Sequence, residues 1–198
     1  MKALKIIGII LAVIVLAALV FIMTLKGEGH LERSITVQVP VEKVFRVAND
    51  LAYAKDWSPW FQIDPETKYV FSARTSGVGA KYTWESDHSD VGTGEQEIIE
   101  VKENELVKTR MAFGGMTGTY YASFVLRKIN DTTTEVTWTY DGKADAVLEK
   151  LFIDYGTEPV LGPVYEQGLA SLKAYLEGLP ASVPAGERLS KDTTVVAE

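Results

Sequence analysis

The sequence predicts an α+β fold: a curved, seven-stranded antiparallel sheet wrapped over a long C-terminal helix, preceded by one transmembrane helix. Three observations predict it. Residues Ile6 to Leu25 carry no charge. Between Leu31 and Tyr140, short runs of strand-forming residues are separated by turn signals, with two helical stretches after the first run. After them, apolar residues recur at helical spacing as far as Leu179.

The N-terminal run is long enough to cross a bilayer. Twenty residues at about 1.5 Å each span roughly 30 Å, the thickness of a hydrocarbon core. A buried core helix would rarely be apolar on every face. A cleaved signal peptide is the stronger rival, but its apolar region is usually about 7–15 residues long. The stretch Thr24-Leu25-Lys26-Gly27-Glu28 also lacks a small-x-small cleavage site. Residues 1–26 therefore read as an uncleaved anchor. Lys2 and Lys5 precede its charge-free run, whereas Lys26 and Arg33 follow that run interleaved with Glu28 and Glu32. Acidic residues count little in the positive-inside rule. The expectation is a single-pass membrane protein, N-terminus inside and domain outside, which in a bacterium is the periplasm.

Composition narrows the classes. The chain has 198 residues, so roughly 170 remain after the anchor, enough for one domain. The net charge is −7, and near −9 from Lys26 onward, because Lys2 and Lys5 lie before it. With no basic stripe, such a surface repels phosphate backbones, so no nucleic-acid partner is expected. The absence of cysteine excludes disulfides, thiol catalysis and thiolate metal sites.

The soluble part then follows in order. Residues 27–30 read as a short polar linker and 31–179 as the domain. From Leu31 to Val39, Ile35, Val37 and Val39 alternate with Ser34, Thr36 and Gln38, the mark of a half-buried strand. Pro40 ends it and suits a helix start. Val41, Val44, Phe45 and Val47 give a helix over Val41–Asn49, and Asp50 can cap a second over Leu51–Trp57. After the turn at Ser58-Pro59-Trp60, strands are expected at 68–72, 80–86, 93–102, 106–113, 117–128 and 132–140. Short turns between them suit a meander. Val147, Leu148, Leu151, Phe152 and Tyr155 have the spacing of one buried helical stripe. Gly156, Pro159, Gly162 and Pro163 interrupt it, and a second run, Val164–Leu179, carries Leu169, Leu172, Tyr175 and Leu176 on one face. Residues 180–198 are polar and small, and read as a disordered tail. A curved sheet cannot bury its inner face alone, so the terminal helix is its cover.

Several short stretches, in this order, carry a family likeness. They are Val39-Pro40 with Val44-Phe45, Trp57-Ser58-Pro59-Trp60, Gly79-Ala80-Lys81-Tyr82-Thr83-Trp84 and Val91-Gly92-Thr93-Gly94. Thr134-Glu135-Val136-Thr137-Trp138 and Gly168-Leu169-Ala170-Ser171-Leu172-Lys173 complete the set. From about Leu31 to Glu177 the chain resembles the polyketide cyclase/dehydrase branch of the SRPBCC superfamily, the START-like or birch-pollen-allergen-like fold. The resemblance implies a helix-grip fold with an apolar cavity between sheet and long helix. Members bind lipids, sterols, polyketides and other apolar molecules, and some are enzymes.

Alternation nominates the side chains that would line such a cavity. Tyr82 and Trp84 share one strand face, Val107, Met111 and Phe113 the next, then Tyr120, Phe124 and Leu126, then Val136, Trp138 and Tyr140. Leu148, Leu151, Phe152 and Tyr155 would face them from the helix. Trp57, Trp60 and Phe61 could form a lid, dip into the membrane interface, or simply pack as a corner. A plain core accounts for any one of these residues. Several buried Trp and Tyr side chains each need a polar partner, which a cavity with wet tips supplies.

Two constellations look chemical without being specific. Glu85, Asp87, His88 and Asp90 lie in a polar turn with no ligand spacing, so no metal is expected there. There is no Ser-His-Asp order and no phosphate loop, and the turn glycines at 77, 79, 114 and 115 do not form a nucleotide cradle. No catalytic residue and no cofactor is assigned. The expected function is membrane-tethered binding of a lipid or other small apolar ligand. The alternatives are a polyketide cyclase/hydrolase-like enzyme and a non-catalytic envelope interaction protein.

Overall fold

The charge-free N-terminal run is helical from Lys2 to Thr24 (α1) in the computed structural model, which describes residues 2–180. The expected tail lies, from residue 181 on, outside the described residues. Residues Ala3–Thr24 are long and apolar enough to cross a membrane, a property that anchors share with signal sequences.

Strand β1 spans Glu28–Val37, so Glu28, Gly29 and His30 are strand where a linker was expected. The reason lies in its partner. Strand β7, Thr133–Lys143, runs three residues past its expected end and holds those residues in register. Glu28 faces Lys143, Gly29 faces Gly142 and His30 faces Asp141. Two of its three steps carry a side-chain pair: Glu28 with Lys143 by charge, and His30 with Asp141 by a 2.7 Å hydrogen bond. Gly29 has no side chain because a Cβ there would meet Ile153 at 2.8 Å.

The other strands fall close to their expected places: β2 Lys68–Phe71, β3 Lys81–Glu85, β4 Thr93–Lys102, β5 Leu106–Phe113 and β6 Thr119–Asn130. They form one antiparallel sheet in the order β1-β7-β6-β5-β4-β3-β2. A register shift between Ile98 and Glu100 marks a bulge, which bends the sheet and strengthens its twist.

Helix α2, Val41–Ala48, begins directly after Pro40 and buries Val41, Val44 and Val47. Asp50 accepts from the Ala52 amide at 3.0 Å and so opens a 3₁₀ turn, Leu51–Tyr53. Two four-residue helices follow, α3 at Ala54–Trp57 and α4 at Trp60–Ile63. The corner between them is packed: Trp57 is buried, and Phe61 stacks on Tyr69 with ring centroids 4.1 Å apart.

The C-terminal region closes the fold through α5 (Val147–Leu151), a ten-residue π-helical segment (Phe152–Leu161) and α6 (Gly162–Glu177). Helix α6 buries Tyr165, Leu169, Leu172 and Leu176 in one cluster with Val37, Val136 and Trp138. Gly168 permits that approach, since a Cβ would lie 2.6 Å from the Trp138 ring and 3.3 Å from Pro59.

The stripe expected to face inward at the start of this region largely does not. Leu148 is 80% and Tyr155 60% exposed. Glu149, Ile153 and Thr157, four residues apart in turn, are buried instead. The i→i+5 bonding of a π-helix widens the turn beyond 3.6 residues, so residues four apart align where residues three and four apart would otherwise alternate. Of the displaced apolar stripe, Tyr155 meets α1, stacking on Phe21 with centroids 6.1 Å apart. The Asp154 carboxylate accepts from the amides of Lys26 (2.8 Å) and Gly27 (2.9 Å), and Leu25 is buried.

Candidate functional site

Apart from Leu148, Leu151 and Tyr155, the nominated side chains belong to or pack against two hydrophobic clusters on the inner side of the sheet. Trp57, Tyr82, Tyr120, Trp138 and Tyr140 are buried, while Trp60, Phe61, Trp84, Met111, Phe113, Phe124, Leu151 and Phe152 are half-buried. Many of their rings pack in two networks. At one end, Trp138 stacks on Phe124 (5.1 Å) and Tyr165 (4.1 Å), and Trp57 meets Trp138 edge-on at 5.6 Å. At the other, Trp84, Phe113, Tyr120 and Tyr140 follow one another at 5.8, 5.4 and 6.4 Å. These rings pack on the inner side of the sheet. Two open hollows among the described residues, of about 450 and 550 Å³, lie on the outer face instead: one beside Val70 and Thr83, the other beside His30 and Tyr121.

Burial is uneven along one strand of this interior. Along the inward face of β5, Val107 and Thr109 are buried, whereas Met111 and Phe113 are half-buried. Register places that looser end beside the start of the sheet: Phe113 faces Gly94, Met111 faces Tyr120, and Thr119 faces the same Lys143 that pairs with Glu28. Along β5 the packing thus loosens toward the end where α1 joins the domain. Met116 and Phe152 border it as further half-buried apolar side chains.

One buried polar atom in this interior has no protein partner. The indole N–H of Trp57 is shielded from solvent and makes no hydrogen bond. A buried donor left unsatisfied costs about 1–3 kcal/mol relative to one that is paired. Its neighbours are the Phe124 and Trp138 rings, which offer no acceptor oxygen.

The interior also holds a carboxylate that sequence reasoning missed. Glu149 accepts from the Tyr120 hydroxyl at 2.6 Å, from the amides of Thr117 (2.9 Å) and Gly118 (2.8 Å), and from the Thr117 hydroxyl at 3.2 Å. It ties α5 to the turn between β5 and β6. The nearest signal was its place in the four-residue series with Ile153 and Thr157, which a reading at 3.6-residue spacing passes over. Its donors, led by Tyr120, hold its pKa below the usual carboxylate value. Burial, followed by the bond to Glu149, raises that of the Tyr120 phenol.

Residues 28–177 match the model of a family described as "Polyketide cyclase / dehydrase and lipid transport". The chain belongs to this family. No curated protein sequence matches it. Among solved structures, norcoclaurine synthase from Thalictrum flavum, in complex with dopamine and hydroxybenzaldehyde, aligns with a TM-score of 0.58 at 16% identity. The alignment covers 76% of this chain and 87% of that one. A protein from Nitrosospira multiformis aligns with a TM-score of 0.54 at 21% identity, covering 74% and 95%. One from Chromobacterium violaceum gives 0.54 at 16%, covering 75% and 97%. At such identities the likeness carries the fold.

For a member of the polyketide cyclase / dehydrase and lipid transport family, an interior carboxylate raises the question of proton transfer. Glu149 is poorly suited to it. Four donors saturate its oxygens, and a lowered pKa makes it a weak base that rarely holds a proton. Tyr120, with its pKa raised, keeps its proton. The pair is a fixed clamp. In the β3–β4 turn, the His88 ring accepts from the Asp90 amide at 3.2 Å, and among the described residues no three His, Asp or Glu side chains are grouped to hold a metal.

On the outer face, His30 bonds Asp141 and lies 3.7 Å from Glu32. The Asp141 bond is the main cause that raises its pKa above 6.5. A raised folded value means that this pair stabilises the fold fully below the unfolded pKa and ceases to do so as pH rises through the folded one. Because His30 is half-exposed, the effect on stability is small. NMR titration should place His30 above the free-imidazole value, and Asp141→Asn should bring it down.

Proposed function

We propose that the chain is a membrane-tethered binding protein for a lipid or another small apolar ligand, held between sheet and α6. The observation that carries this reading is the unpartnered indole N–H of Trp57 among apolar rings. A ligand with an apolar body and one acceptor atom supplies what that site lacks, a common pattern for small-molecule pockets. The way in is the loose end marked by Met111, Phe113 and Met116. From Tyr120 to Phe124 is four residues of β6, or about 13 Å at 3.3 Å per residue, so an extended apolar ligand of that length would reach Trp57. Rings now stacked there would have to part to admit it.

The tether supports the same reading. With α1 across a bilayer and its N-terminus inside, β1 begins only three residues beyond the helix, so the loose end is held close to the membrane. Holding a site beside its ligand's reservoir raises the effective concentration.

Native mass spectrometry of the full chain, released from mild detergent, tests the proposal. The expected result is a co-purifying lipid-sized adduct, or one formed on adding lipids. Trp57→Phe keeps an aromatic, though smaller, ring and removes the donor, and should weaken retention by at least about fivefold to tenfold, the worth of one hydrogen bond. A protein that stays free of adducts and whose melting no lipid shifts would overturn the proposal and favour an interaction protein with a filled interior.

A further inference from the structure

The large apolar side chains exposed on the sheet are scattered, but those on the C-terminal segment are not. Leu148 and Tyr155, with Val147 and Val160 near them, stand exposed on the segment that receives the end of α1. Three contacts fix its height relative to that helix. Asp154 binds the amides of Lys26 and Gly27, Leu25 is buried, and the Tyr155 ring stacks on Phe21.

We propose that α5 and the π-helical segment lie on the surface of the bilayer that α1 crosses, with Leu148 and Tyr155 sunk into the boundary between headgroups and acyl chains. The proposal rests on α1 being a membrane span. Phe21 lies four residues, roughly 6 Å, inside the end of the charge-free run at Leu25. A tyrosine stacked on it stands at the interfacial depth that Tyr and Trp favour. The basic residues agree. The Lys150 stem passes over Gly27, where a Cβ would meet its Cγ at 2.6 Å, so Lys150 and Lys26 share one level. Both can extend ammonium groups to lipid phosphates. The acids of the segment are turned to other uses: Glu149 to the β5–β6 turn, Asp154 to the α1 joint, and Glu158 to Arg33. An apolar face without free acids, level with the end of a hydrophobic helix, fits a lipid surface.

The chain has no cysteine, so single ones can be labelled in the intact protein. Leu148→Cys, Tyr155→Cys, Val125→Cys and Leu16→Cys would each carry a polarity-sensitive fluorophore, in phosphatidylcholine/phosphatidylglycerol vesicles containing lipids spin-labelled at known depths. Val125 is exposed on the sheet and serves as the aqueous control, and Leu16 reports whether α1 spans. Labels at 148 and 155 should be blue-shifted and quenched several-fold more strongly than at 125, with shallow spin labels most effective. Strong deep quenching at Leu16 with none at 148 and 155 would overturn this inference and leave the anchor standing. No quenching at Leu16 would remove both. Shifts at 148 and 155 that vanish on diluting the protein in lipid would assign the face to a second copy of the chain and overturn the proposal.

Discussion

Replacing Trp138 with alanine should destabilise the domain by about 3–5 kcal/mol, the range for deleting a buried tryptophan. Its ring is 6% exposed and touches Trp57, Phe124 and Tyr165 at once. Across from it stands Gly168, which has no side chain to fall into the gap. Relaxation would need α6 to shift toward the sheet as a body, so the loss should fall toward the upper end. Trp138→Phe keeps part of the stack and should cost less. Urea denaturation, with midpoint and slope compared between variants, measures both losses. A loss from Trp138→Ala below about 1 kcal/mol, the level of an ordinary substitution, would mean that the rings are not a packed unit.

Glu149→Ala should cost about 2–4 kcal/mol, because it strands the Thr117 and Gly118 amides and the Tyr120 hydroxyl together. Glu149→Gln should lose less, since one oxygen still accepts. A double-mutant cycle with Tyr120→Phe isolates the hydroxyl's share. The pH dependence has a defined sign. A carboxylate whose folded pKa lies below its ordinary value of 4.5 contributes its stability above that value and loses it as pH falls through the folded one. The difference in stability between wild type and Glu149→Gln should therefore be constant at neutral pH and shrink below pH 4.5. A difference that grew on acidification would contradict a clamp held in its ionised form.

Much of this fold was legible before any coordinates, for a simple reason. A strand buried on one face repeats every two residues, and the runs at β3, β5 and β7 keep that period without interruption. The turns between them contain residues that strands avoid. The family likeness added the helix-grip arrangement, and the family match confirms it. The joint between helix and sheet was less legible. Glu28-Gly29-His30 looks like a linker because its strand character comes from pairing with Asp141, Gly142 and Lys143, more than a hundred residues away. The segment after Ala146 misled for another reason. Its apolar spacing is helical, but a π-helix turns a different set of residues inward, and of the apolar stripe left outside Tyr155 meets α1. The interior residues on strands were readable, whereas Glu149 and the lone indole N–H of Trp57 depend on tertiary neighbours that no local pattern encodes.

The place of β1 at the edge of the sheet has a consequence for how the chain is made. Its one ladder partner is β7, and Glu28 meets Lys143 across a separation of 115 residues. Synthesis at roughly 5–20 residues per second leaves β1 waiting about 6–23 s before its partner exists. During that interval the meander β2 to β6 can assemble from neighbours in sequence, while the first strand made stays unpaired, with Leu31, Ile35 and Val37 uncovered. The sheet is complete only when the last strand arrives to join the first, and α6, made later still, covers it last. Assembly therefore runs from the middle of the chain outward, and the strand born earliest is the one most in need of protection.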